Sequence, residues 1–327
     1  MQSSNSTILH TISPVRPYHK LYCLLFSLIL IVVVASSRIL VHAAENGYSY
    51  LLMPTQIIKI NNLYFIVDCN HNQVIYSDNL NTPLRSWNVL TRNAQKPHAI
   101  ASDGELYVVA DTDNNRILTF EKTYDGFRPL QIFEEVGNRP HFVDYDYSEQ
   151  LFYVWSSMTG EMYLYQKEAD TNFLSLQAIF SIPELTDCYV RSFTITGDVI
   201  LFPAVERSSI ILVDKKTFEV LNEYPVPDCM AGMVQISIVD GSFFITVSTD
   251  RQYNLNASTV IRTSSLEDLS AGNYENLYSL FGNDGTPYYV SYFDGAYYMI
   301  HENAPPNIYR FRSEQGKIYD IKGLPFK

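Results

Sequence analysis

Two histidines recur in matched settings, Pro97-His98-Ala99-Ile100 and Pro140-His141-Phe142-Val143. Neutral imidazole binds zinc well, and a catalytic zinc site takes three protein ligands and keeps one position open. With His98 and His141 as ligands, Tyr189 as an acid–base or positioning group and Arg191 as an anion or oxyanion stabiliser, the set would suit a metal-dependent hydrolase or lyase. A third ligand does not show itself: His71 and His301 read as loop residues after strands. Gln235 and Tyr288 stand at comparable places further on, as do Thr55 and Gln56 before. A calcium site would need several oxygen ligands, and these places carry almost no Asp or Glu; Asp144 and Asp146 stand alone. Gly-x-Ser-x-Gly, His-Glu-x-x-His and a Gly-rich phosphate loop do not occur. The competing reading is that the two histidines recur with a repeat and hydrogen-bond inside it.

That repeat supplies the elements that must position these residues. Pro54-Thr55-Gln56-Ile57 followed by Leu63-Tyr64-Phe65-Ile66-Val67-Asp68 is echoed by Pro97-His98-Ala99-Ile100 followed by Leu106-Tyr107-Val108-Val109-Ala110-Asp111, 43 residues later. A period of this length built from short strands marks a β-propeller. The second strand of each unit recurs as Leu63–Val67, Leu106–Ala110, Leu151–Trp155, Val199–Phe202, Phe243–Val247 and Tyr297–Ile300, which gives six units. Turn dipeptides such as Asn61-Asn62, Asp103-Gly104 and Asp294-Gly295 precede these strands, since Asn, Asp and Gly tolerate positive φ. A polar loop and a third strand follow, among them Gln73–Tyr76, Arg116–Phe120 and Asn307–Phe311. Fourth strands are less regular. For the sixth unit, Lys317–Ile321 and Tyr48–Met53 compete; Tyr48–Met53 is favoured, closing the ring from the N-terminal side, with closure by blade packing as the alternative.

Residues 97–117, Pro-His-x-Ile … Leu-Tyr-Val-Val-Ala-Asp-x-x-Asn-Asn-Arg-Ile, resemble an NHL repeat. The likeness is strong at 97–120, fair at 54–77 and 140–165, and only periodic past about 190. It implies an all-β, six-bladed propeller over residues 48–324. Asp68 and Asp111 then read as fasteners that bond backbone N–H groups in tight loops. Peptidylglycine-lyase propellers are similar in outline and use zinc-bound histidines with a tyrosine and an arginine. By that resemblance His98, His141, Tyr189 and Arg191 would be the matching types, short of one histidine.

Before residue 48 the chain changes character. Leu21 to Ala35 carries no charge, follows Arg16 and Lys20, and is about the length of a signal h-region, shorter than a bilayer span. Residues 1–43 therefore read as a signal peptide or an uncleaved membrane anchor. Either is preceded by basic residues that favour an inside N-terminus. The expected fold class is thus a six-bladed β-propeller preceded by an N-terminal hydrophobic helix, in the cell envelope or outside it.

The formal charge is −12, and removing residues 1–43 takes away only basic groups, so the remainder is more acidic still. Such a surface repels phosphate backbones and excludes nucleic acid as the expected partner. The 25 tyrosines are read first as sheet packing. Cys69, Cys188 and Cys229 follow the hydrophobic run, an odd number and a poor disulfide framework. Cys188 and Cys229 lie near one repeat apart, so a bridge between adjacent blades is a candidate. The functional expectation is a non-catalytic propeller that binds a protein or carbohydrate of the cell envelope through one face. His98, His141, Tyr189, Arg191 and Gln235 are its candidate ligand residues, the membrane is met through the N-terminal segment, and no cofactor is expected. The metal-dependent hydrolase or lyase is the alternative.

Overall fold

The computed structural model describes residues 44–305 and 307–324. Six four-stranded antiparallel sheets follow one another along the chain, each with its strands in sequence order. The innermost strands are Pro54–Ile60, Pro97–Ser102, Pro140–Asp146, Thr194–Thr196, Gly232–Val239 and Thr286–Phe293. They surround a central channel and define blades one to six. A turn end carries the hairpins between first and second strands. The opposite, loop end carries the starts of the inner strands and the loops between second and third strands.

Alternating apolar side chains on the second and third strands bury both faces of each sheet, so the cores lie between blades. Phe65, Val67, Tyr107 and Val109 join blades one and two. Phe152, Trp155, Phe193 and Phe202 join three and four. Phe244, Val260, Met299 and Phe311 join five and six. Inner strands are also stitched to their neighbours through side chains. Thr55 Oγ1 donates to His98 O (2.8 Å), Gln56 Oε1 accepts from Ile100 N (2.7 Å), and Ser192 Oγ donates to Val234 O (2.6 Å).

Ring closure differs from the expectation. The fourth strand of the last blade is Lys317–Gly323, and Tyr48–Met53 forms no strand there. Each blade finds all four strands in its own stretch of chain, so no strand has to be borrowed. The ring closes by packing of the first blade on the last. Leu51, Ile57, Ile66, Phe293 and Tyr298 share one core, and Ser291 Oγ donates to Ile57 O (2.6 Å). Residues 44–47 instead extend the outer edge of the first blade: Val89 N donates to Ala44 O (2.8 Å) and Asn46 N to Trp87 O (2.6 Å).

Two further expectations are corrected. The N-terminal hydrophobic helix, and the membrane contact and tether expected through it, are set aside. No helix among the described residues is long and apolar enough to cross a membrane, and Leu21–Ala35, with all of residues 1–43, lies outside them. The Cys188–Cys229 bridge does not form, since both are free thiols. Cys188 is buried with Sγ turned to Glu184 O of its own loop (3.7 Å), while Cys229 sits exposed in the turn Asp228–Met230.

Candidate functional site

In four of the six repeats the loop end is framed by a fastener at the end of the second strand. Asp68 Oδ1 accepts from the N–H groups of Leu52 and Met53, both at 3.1 Å. Asp111 accepts from Gln95 N and from Arg116 Nε (2.6 Å). In the third blade, where the Asp is missing, Ser156 Oγ accepts from Asn138 N (2.8 Å). In the sixth, His301 Nδ1 donates to Asp284 O (3.0 Å), so His301 belongs to the strand Ala296–Glu302 and not to a loop. Four residues after each of the first three fasteners the chain enters the left-handed region, at Asn72, Asn115 and Gly160. At Gly160 a Cβ would lie 2.8 Å from Thr186 N, so only glycine fits.

This frame aims the candidate side chains at the channel. His98 and His141 come together, ring centroids 3.9 Å apart and tilted by 32°. His98 Nδ1 faces Lys96 O (2.9 Å), and His141 Nδ1 faces Arg191 O (2.7 Å). A carbonyl only accepts, so both Nδ1 atoms carry the proton and both Nε2 atoms present a lone pair. His98 Nε2 meets Cys69 Sγ at 3.7 Å, and His141 Nε2 meets Tyr189 Oη at 3.3 Å. Burial, aided by the Arg139 and Arg191 charges, pushes His98 down to about 3 and His141 well below the usual imidazole range. Both rings are neutral at physiological pH.

Arg191 stacks on Tyr189 with its guanidinium 4.5 Å from the ring centre, and its Nη1 reaches Gly232 O (3.4 Å) and Met233 O (3.3 Å). Gln235 lines the channel but is engaged in a blade-to-blade stitch, its Oε1 accepting from Val290 N (2.7 Å). The structure thus gathers His98, His141, Tyr189 and Arg191 at one mouth and gives Gln235 a framework contact as well. Among the described residues no cluster of three His, Cys, Asp or Glu could hold a metal. The histidine pair therefore lacks the third ligand that the hydrolase or lyase alternative requires, and that alternative is dropped.

Below the mouth, between His98, His141, Arg191 and Tyr288, the free space open to the centre of a water-sized sphere is only about 10 Å³. That is room for about one water. A wider groove of about 450 Å³ lies at the turn end beside Glu105, Glu121 and Lys167, without converging chemistry.

The sequence reading missed the polar groups around the mouth. Cys69, Thr112, Ser157, Thr249 and Glu302 end second strands or begin the loops after them, and all are buried. In four of the blades the residue concerned directly follows the fastener, a regularity that superposing the repeats would have exposed. Glu302 is 7% exposed, and burial, opposed by the Arg191 charge, raises its carboxyl to about 8. Among the described residues seven buried side-chain polar atoms lack a partner. Six of them, on Arg139, Ser157, Thr249, Thr259, His301 and Glu302, belong to the loop end. Each such group costs about 1–3 kcal/mol if nothing meets it.

No family model matches this chain, and no curated protein is similar to it. Solved structures are similar in fold. A candidate 6-phosphogluconolactonase from Bacteroides uniformis aligns with TM-score 0.59 at 10% identity, covering 86% of this chain and 89% of that one. A second candidate 6-phosphogluconolactonase, from Bacteroides fragilis, gives TM-score 0.59 at 13% identity over 83% of each chain. Hydrazine synthase from Kuenenia stuttgartiensis gives 0.57 at 15% identity, over 82% of this chain and 79% of that one. At these identities the likeness shows the propeller fold alone, and it does not single out the NHL family.

Proposed function

We propose that this chain is an NHL-like propeller that works as an exported, non-catalytic binding module, with residues 1–43 as its export signal. It takes a glycan or protein partner of the cell envelope through its loop end. One observation carries the reading: six of seven buried, partnerless polar atoms gather at that end. Native folds pair nearly all such groups, with protein, ordered water or a bound partner, so a concentration of them at one end marks where a polar partner can be met. A channel with room for about one water keeps the partner at the mouth and leaves no space for a buried substrate.

The test is a glycan array and a pull-down from envelope extract with the full chain, repeated with Tyr189→Ala, whose ring packs at the mouth. A partner captured by the wild type and lost with Tyr189→Ala supports the reading. Capture that is unchanged by Tyr189→Ala but lost when Lys59, at the turn end, is reversed to Glu would overturn the choice of face.

A further inference from the structure

The mouth holds a buried cation and a buried acid that do not touch. Arg191 is 8% exposed and Glu302 is 7% exposed. Neither has an oppositely charged group within 4 Å among the described residues, although ion pairs elsewhere are plentiful. Arg191 makes only long contacts to two carbonyls, through one of its five N–H donors' nitrogens, besides its stacking on Tyr189. Oε1 of Glu302 has no partner at all within the described residues. Yet the two groups share a neighbourhood: Tyr288 lines the same small space as Arg191, and Glu302 is the strand partner of Thr286, two residues before Tyr288. Leaving two such groups buried and unpaired is costly, and a fold that merely needed stability would bring them into contact or replace both.

We infer that the channel mouth binds a small zwitterion of the α-amino-acid type, its carboxylate on Arg191 and its ammonium on Glu302. This rests on the loop-end reading above and names its ligand class. A planar guanidinium suits a carboxylate, because two parallel N–H···O bonds fit both groups. A carboxylate on the far side suits an ammonium with three donors. Since the space beneath admits only about one water, the ligand is held at the mouth, with its side chain outside. Tyr189 and Tyr253 stand at the rim, tied through Glu206: its carboxylate accepts from Tyr189 N (2.5 Å) and from the Tyr253 hydroxyl.

Proton release gives this inference a readout that a merely structural role would not move. In the free protein Glu302 keeps its proton at pH 7, because burial raises it to about 8. Cys69, Tyr288 and Arg191 are the titratable groups that share its surroundings. An ammonium placed against it favours the ionised form, so binding releases about one proton and tightens as pH rises from 6 to 8.

The experiment is calorimetric titration of the full chain at pH 7 in phosphate and in Tris. A pool of the proteinogenic α-amino acids is used first, then each hit singly with its deaminated and decarboxylated analogues. Expected are binding of whole amino acids, loss of roughly tenfold or more with each half-molecule, and a similar loss for Glu302→Gln and Arg191→Lys. The buffer-dependent proton release should vanish in Glu302→Gln. Thermal melts of both near-isosteric variants confirm that they fold. No heat with any amino acid up to 10 mM (about the weakest useful affinity), or half-molecules that bind as well as the whole, overturns the inference. A glycan or protein captured by the wild type and lost with Tyr189→Ala, alongside such a blank titration, would overturn the zwitterion while leaving the loop-end reading standing. A blank in both assays removes both.

Discussion

The two ends of the channel are made from the same six sheets and treat their polar groups in opposite ways. At the turn end, side chains clasp one blade to the next. Asn61 donates to Gly104 O, Tyr147 to Ser102 O, Lys215 pairs with Asp146 at 2.7 Å, Gly316 N donates to Asp240, and Lys59 meets Asp294. At the loop end, fasteners hold four of the loops to their own blades, and six buried polar atoms among the described residues are left without partners. The turn end leaves one such atom, the Tyr107 hydroxyl. The loop end is rigid in its frame and unfinished at its centre, the arrangement a preformed binding site requires.

That contrast can be broken first at the frame. Asp111→Ala removes a fully buried carboxylate from Gln95 N and Arg116 and leaves the guanidinium only its more exposed partner Glu134 and Asn93 O. The expected loss is about 3 kcal/mol, a fall of roughly 8 °C in melting temperature. A loss below about 1 kcal/mol would mean that the loop end is not held by its fasteners. Next comes the seam between first and last blades. Leu51→Ala opens a cavity in the core that joins them, and about 2 kcal/mol should go in a urea titration. An unchanged midpoint would show that residues 44–53 contribute nothing to closure.

Glu302→Gln sharpens the comparison in the other direction. The folded protein keeps that proton up to about pH 8, whereas an ordinary glutamate gives it up near 4.5. The folded state therefore binds more protons between these values, and stability falls as pH rises through them. Glutamine cannot ionise. The variant should match the wild type at pH 5 and melt roughly 3–5 °C higher at pH 8.5. Parallel melting curves at both pH values would remove Glu302 as a group held against its charge. The smallest effect belongs to the turn end: Asp294→Ala breaks a half-exposed clasp with Lys59 and Tyr64, and melting should move by no more than about 2 °C. A larger fall would make the clasps, and not the inter-blade cores, the main tie between blades.

Much of this fold was legible in the sequence because second strands carry the strongest pattern. Leu63–Val67 and Leu106–Ala110 are apolar runs bounded by turn residues and a fastening Asp, and both are strands that run one residue further, to Asp68 and Asp111. Beyond residue 190 the period survived but the fastener changed type, to His301 in the last blade, so a strand end looked like a loop. Ring closure was misread because Tyr48–Met53 has strand-forming composition, while the decision lay in whether the last blade had a fourth strand of its own. His98, His141, Tyr189 and Arg191 were found through their recurrence and their chemistry. Glu302 was not, because nothing in Ile300-His301-Glu302-Asn303 shows that its carboxyl is buried.

The absence of a shared strand has a mechanical consequence. Every sheet is one contiguous stretch, so among the described residues the junction of first and last blades is made through side chains. Tension applied between Pro54 and Gly323 meets no backbone ladder at that junction. The outer strand Lys317–Gly323 can unzip from Ile308–Glu314 one hydrogen-bonded pair at a time. Stretching should thus produce a sawtooth of small, successive force peaks, blade after blade from the C-terminal side, in place of one large rupture.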